Sequence, residues 1–275
     1  MIQFANTDTT PLVRSMWKTC FEDTEEYLDL HFTRKYKPEN TLLYFEDGVA
    51  VAALQMLPYS IRFYGEVVSF YYLAGLCTLP EYRNKGYMGQ LINTSFEVMK
   101  EREVALCGLV PAEEWLFSYY SKYGFTVVFD SSENTIELKP MLKSKDPYSE
   151  FDKKYQQSNF TVLKNRNDFE AIIIDYLAED CPPKGNLRGM ARVLLPEKAL
   201  GLFAKKNPDK NFSLKVENQA YKIENGKVDY INSSAPDIDI SLFTRLLFGY
   251  HTSLLDAEYA SQFDEHQPVI NLMLE

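Results

Sequence analysis

The stretch from Leu73 to Leu91 constrains this chain most, because it reads as an apolar strand, a short donor-rich loop and the opening of a helix. A helix N-terminus leaves N–H groups unpaired and carries the positive end of the peptide dipole, so a loop leading into one is suited to holding a pyrophosphate. Arg83 and Lys85 place two cations in that loop, and Gly86 lets main chain approach a phosphate where a Cβ would intrude. Both cations could also be solvated surface charges; the glycine beside them favours the anion-binding reading.

The flanking segments fit an α/β layer. Pro11 suits the first turn of a helix entered at Asp8 or Thr9, with apolar positions at Leu12, Val13, Met16, Trp17 and Cys20. Residues 41–45 and 49–56 read as strands about Asp47-Gly48, a strong hairpin signal. A further strand over 61–64 turns at Gly65 into the long run 67–76. After the loop, Leu91, Ile92, Ser95, Phe96, Val98 and Met99 give a helix with a buried stripe, and 104–110 reads as a buried strand. An aromatic helix from Pro111 closes at Gly124, and 126–129 resumes a strand. Strands interleaved with helices predict a layer whose ligand lies near the carboxyl ends of the strands.

Composition narrows the function. With 275 residues, 45% of them hydrophobic, the chain can bury one large core or two ordinary ones, and two domains are expected. A formal charge of −10 argues against nucleic acid as a partner and suits a cationic substrate, although acidity can serve solubility alone. Cys20, Cys77, Cys107 and Cys181 show no CxxC, and His31, His251 and His266 form no ligand pattern, so no metal site is expected. The chain has no basic-then-apolar leader and no apolar run near the roughly 18 residues that span a bilayer. The expectation is a cytoplasmic protein with reduced thiols and no membrane partner.

Between Lys139 and Tyr155 the sequence turns polar, which predicts a linker or domain edge. Beyond it, Phe169, Ile172, Ile173 and Leu177 make a helical stripe, and Ala199, Leu202 and Phe203 a shorter one. Phe212, Leu214 and Val216 alternate as in a strand, and Asn225-Gly226 marks a second hairpin. A strand at Ile238 and Ile240, a helix from Ser241 to Gly249 and another over 254–263 complete the reading.

Two motifs carry a family resemblance. Arg83-Asn84-Lys85-Gly86-Tyr87-Met88 is similar to the coenzyme A loop of the GCN5-related N-acetyltransferase (GNAT) superfamily, matching at its first and fourth positions and departing at Met88, where the family has a small residue. Tyr120-Ser121-Lys122-Tyr123-Gly124-Phe125 resembles the family's Tyr-x-x-x-Gly-Phe helix end. Met88 points to the enhanced intracellular survival (Eis) type, which carries a C-terminal domain similar to sterol carrier protein 2; residues 237–249 look like that domain's strand and helix. The interval from about 140 to 190 is too short for that group's full middle domain.

The resemblance implies an α/β (α+β) fold: a GNAT-type mixed sheet flanked by helices over 1–140, a linker over 141–160 and a smaller α+β sterol-carrier-like domain over 161–275. It implies acetyl-CoA as co-substrate and no metal. Leu76, Cys77 and Thr78 would hold the pantetheine arm, while Arg83, Asn84, Lys85, Gly86, Tyr87, Met88 and Gly89 would hold the pyrophosphate. Tyr120 would be the acid facing the departing thiolate, although the same ring would serve as a core aromatic among Phe117, Tyr119 and Tyr123. Glu275, as the terminal carboxylate, would help to take the amine proton, or the end of the chain merely packs. The implied activity is transfer of an acetyl group to a primary amine of a small molecule, in a chain that could form a homo-oligomer. The alternative is a noncatalytic acyl-CoA sensor or lipid carrier.

Overall fold

The computed structural model describes residues 1–132, 135–179, 184–255 and 260–273. The chain opens with β1 (Ile2–Phe4), α1 (Thr10–Cys20) and α2 (Glu25–Arg34). Pro11 sits in the first turn of α1 as expected, and the Thr24 hydroxyl caps α2 by accepting from the Tyr27 N–H at 3.2 Å. Three long strands follow: β2 (Thr41–Glu46), β3 (Val49–Phe63) and β4 (Glu66–Thr78). Both turns between them use left-handed backbone, at Asp47 and Gly48 (φ 49° and 81°) and at Tyr64 and Gly65 (φ 49° and 87°). The two strands expected over 49–64 are therefore one continuous strand.

Next come α3 (Tyr87–Glu101), β5 (Leu106–Leu109), α4 (Glu114–Ser121) and β6 (Thr126–Phe129), which agree with the sequence reading. The polar stretch expected as a linker folds as α5 (Leu138–Met141) and α6 (Pro147–Tyr155), and Phe151 of α6 is fully buried. Then follow β7 (Thr161–Leu163), α7 (Arg166–Ala178), β8 (Gly189–Val193) and α8 (Pro196–Lys206). A meander of β9 (Phe212–Val216), β10 (Gln219–Glu224) and β11 (Lys227–Ile231) forms a separate three-stranded sheet. Ile238 lies outside any strand, because Asp237 makes only a single bridge to Lys215 and Ile240 already begins α9 (Ile240–Phe248). The helix expected over 254–263 falls partly outside the described residues, with short 3-10 turns at Thr252–Leu254 and Ala260–Gln262 on either side.

Eight strands form the main sheet in the order β1-β2-β3-β4-β5-β8-β6, with β7 added alongside β3. Among the described residues only β4 and β5 pair as parallel strands in this sheet. Strand β8 comes from beyond the expected linker yet sits between β5 and β6, pairing Cys107 with Arg192 and Val127 with Met190. The second half of the chain thus completes the layer begun by the first.

One face of the sheet buries Leu54, Met56 and Leu73 against Leu91, Ile92 and Phe96 of α3. The other joins Phe63, Phe70 and Tyr72 to Phe203, Phe243 and Phe248 from the second half. Among the described residues no helix is long and apolar enough to cross a membrane, and no cluster of His, Cys, Asp or Glu could hold a metal.

Candidate functional site

Strand β4 is the spine of the site. It pairs with β5 only at Phe70, Tyr71 and Tyr72, and β5 ends at Leu109 while β4 runs on to Thr78. From Leu73 onward β4 has a paired neighbour only on its β3 side, and that pairing is interrupted by a bulge between Ala53 and Gln55. Leu54 there faces two residues, Gly75 and Leu76, and Gly75 takes φ 57°. A Cβ there would collide with the Trp17 ring, so glycine is needed for both the conformation and the close approach. The parting of β4 from β5 opens a cleft at the carboxyl end of β4, where the chain turns toward α3.

The loop that follows has the geometry of an anion cradle. Asn84 and Gly86 both adopt left-handed backbone (φ 62° and 81°) around Lys85, and Gly86 caps α3 without any side-chain acceptor for the first-turn N–H groups. Arg83, Asn84, Lys85 and Gly86 are exposed, Met88 and Gly89 half-buried, and Tyr87 buried. Arg83 turns back along β4, its Nε donating to the Thr78 carbonyl at 3.2 Å. That carbonyl also accepts from Cys20 Sγ at 3.5 Å, so of the three strand residues expected to meet the pantetheine arm, Thr78 already has its oxygen engaged.

Glu46, which the sequence reading did not include, reaches the loop from the end of β2. It accepts from the Tyr87 hydroxyl and pairs with Lys85 at 3.3 Å, and both contacts hold its carboxyl below the usual range. The same hydrogen bond pushes the Tyr87 phenol up to about 12. No local sequence signal marks Glu46, because it lies 39 residues before Lys85.

Helix α4 carries the aromatic cluster. Tyr120 is 7% exposed and packs among Leu73, Leu109, Phe125 and Met190, with Tyr119 and Phe125 as ring neighbours. Burial alone raises its phenol pKa, so the hydroxyl is protonated throughout the neutral range. Tyr123, one turn on, fixes the helix against the loop: a Cβ on Gly89 would strike its hydroxyl. Arg192 of β8 donates to the Tyr123 carbonyl at 2.7 Å and lies over the Phe96 ring at 4.8 Å. The first turn of α3, the segment just after α4 and β8 therefore meet at one tyrosine that the sequence presented only as part of a motif.

On the opposite face of the bulge lies a buried polar group that the sequence did not announce. His31 and Gln55 are fully buried, with His31 Nε2 2.9 Å from Gln55 Oε1 and the Trp17 ring 4.4 Å from the imidazole. Burial holds His31 neutral, with its pKa lowered to about 4. Glu275 lies outside the described residues, as does Cys181.

Residues 1–128 match the family model described as an acetyltransferase (GNAT) domain. No curated protein matches the chain. Solved structures similar across 98% of this chain include a GCN5-related N-acetyltransferase from Anabaena variabilis, with 13% identity, 98% of that chain covered and a TM-score of 0.69. Eis1 from Mycobacterium abscessus has 10% identity, 98% coverage and a TM-score of 0.72. A probable N-acyltransferase from Enterococcus faecalis has 14% identity, 98% coverage and a TM-score of 0.65. At these identities the likeness is one of fold, and it extends through both halves of the chain.

Proposed function

Starting from a chain that carries a GNAT-type acyltransferase domain over residues 1–128, we propose that it moves an acetyl group from acetyl-CoA to a primary amine of a small, cationic acceptor. The observation that carries this reading is the loop itself: Asn84 and Gly86 in left-handed backbone, leading into uncapped N–H groups of α3 beside the parted end of β4. Such an arrangement recognises a diphosphate through main chain, and hydrogen bonds to a charged group contribute roughly 1.5–3 kcal/mol each. Leu76, Cys77 and Thr78 would then run beside the pantetheine arm. Arg83 and residues 84–89 would surround the diphosphate, with Lys85 exchanging Glu46 for phosphate.

In the transfer, the neutral amine attacks the thioester carbonyl, the C–N bond forms and the C–S bond breaks. Negative charge then develops on sulfur. The protonated Tyr120 hydroxyl is suited to donate a hydrogen bond to that charge. Its raised pKa makes complete proton transfer to a thiolate, whose parent thiol titrates near 8.5, an uphill step. Stabilisation of the leaving sulfur by a hydrogen bond is therefore the role its burial supports. Glu275 is kept as a proposed proton acceptor for the amine.

Sheet β9–β11 with α8 and α9 supports reading a sterol-carrier-like unit within residues 161–275, while β7 and β8 of that stretch belong to the main sheet. A lipid-carrier function would draw on its apolar residues, yet Phe203, Phe243, Leu246 and Phe248 pack into the core shared with Phe63 and Phe160. Incubation with acetyl-CoA and a panel of mono- and polyamines is expected to release free thiol. Absence of thiol release with every amine, together with co-purified lipid in native mass spectra, would favour the carrier.

A further inference from the structure

The cation of the glycine loop is already met by an anion of the chain itself. Strand β2 ends at Glu46, whose carboxylate accepts from the Tyr87 hydroxyl and lies 3.3 Å from Lys85 Nζ. The two contacts differ in how firmly they are held. Tyr87 is the first residue of α3, is 8% exposed, and stacks its ring on Tyr44 of β2 at 4.4 Å. Tyr44 and Glu46, two residues apart in the strand, therefore grip the phenol together. Lys85, by contrast, has a side chain 47% exposed, with its ammonium 4.8 Å from the centre of the Tyr82 ring. Glu46 is thus fixed, and Lys85 is free to swing. The hydrogen bond from Tyr87, and then Lys85, hold the Glu46 carboxyl below its usual range, so it is ionised at neutral pH.

We propose that Glu46 is a built-in competitor for the diphosphate: it holds Lys85 while the loop is free, yields it when coenzyme A binds, and takes it back as spent coenzyme A leaves, which hastens release. The inference rests on the acetyl-CoA reading above and concerns how the same loop lets its ligand go.

The sign follows from charge. With Lys85 turned to the diphosphate, the carboxylate stays on Tyr87 and repels the phosphate charges beside it. With the diphosphate gone, the same carboxylate regains its cation. Each effect favours departure. Because the pair is exposed, the expected size is modest: such pairs contribute up to about fivefold in an equilibrium constant.

Glu46→Gln keeps an oxygen that can accept from Tyr87 and removes the charge. By calorimetry the Kd for coenzyme A is expected to fall about fivefold, with inorganic pyrophosphate shifting in the same direction, and stopped-flow displacement should show the gain as slower release. Asp47→Asn takes the same charge from the next position of the turn, where asparagine tolerates the left-handed backbone (φ 49°), and should change the Kd by no more than about twofold. In a Lys85→Met chain, Glu46→Gln should have a smaller effect, because only the repulsion is left to remove. An unchanged or raised Kd in Glu46→Gln would overturn the proposal, as would an equal gain from Asp47→Asn or a tightening with no change in release rate. A folded chain that binds neither coenzyme A nor pyrophosphate would overturn the acetyl-CoA reading and the exchange with it. Pyrophosphate binding that Glu46→Gln tightens, in a chain that gives no heat with coenzyme A, would support the exchange while the reading falls.

Discussion

At the level of single residues, one tyrosine and one histidine make the sharpest claims. Tyr120→Phe removes the hydroxyl from a packed aromatic position and leaves the ring, so coenzyme A affinity should be kept while kcat falls by about 10² or more. Steady-state thiol release together with calorimetry checks this, and full turnover would remove Tyr120 from the chemistry. His31 sets a stability limit instead. Its pKa is about 4 in the folded chain against 6.5 when free. Between those values the unfolded chain binds a proton that the folded chain does not, so stability rises with pH across the window and is lost as pH falls through it. The loss amounts to roughly 3 kcal/mol at most. His31→Gln, which can still meet Gln55, should flatten the thermal-denaturation midpoint between pH 6.5 and 4; an unchanged slope would assign the acid sensitivity elsewhere. Tyr120 was legible because its motif is local. Glu46, Trp17 and Gln55 were not, because their partners are supplied by strand pairing and helix packing between distant segments.

At the level of elements, the loop before α3 depends on backbone that few side chains tolerate. Gly86 has φ 81° with open space where a Cβ would stand, so Gly86→Ala should cost only about 1–2 kcal/mol of backbone strain. Gly86→Glu adds a carboxylate beside N–H groups proposed to meet a diphosphate, and is expected to abolish coenzyme A binding in a protein that remains folded. Calorimetry reads the first effect and circular dichroism the second. This strand, loop and helix could be read from sequence because turn glycines, apolar runs and helical periodicity agree over short distances. Helix α2 escaped because only Leu28 and His31 form its buried face, which is no apolar stripe. Strand β8, Gly-Met-Ala-Arg-Val, escaped because it is short and pairs on both sides with strands from the other half of the chain. The stretch after Lys139 read as a linker because its buried anchors, Met141 and Phe151, are widely spaced among charged residues.

At the level of the molecule, the two halves share one sheet. A fragment covering residues 1–140 would leave β5 without Val193, Arg192 and Met190 and would strip β6 of β8, its one strand partner among the described residues. We expect it to lack a cooperative thermal transition and to expose apolar surface to a hydrophobic dye, while the full chain melts in one step. A folded fragment that binds coenzyme A would show β8 to be dispensable. The meeting of Gly89 with Tyr123, and of Tyr123 with Arg192, also has a bearing on what the cleft can accept. It locks the loop proposed for the diphosphate and the helix bearing Tyr120 into a calliper of fixed span. On the proposed reading, the reach from diphosphate to that hydroxyl is therefore set by packing within the protein before any side chain reads the acyl group.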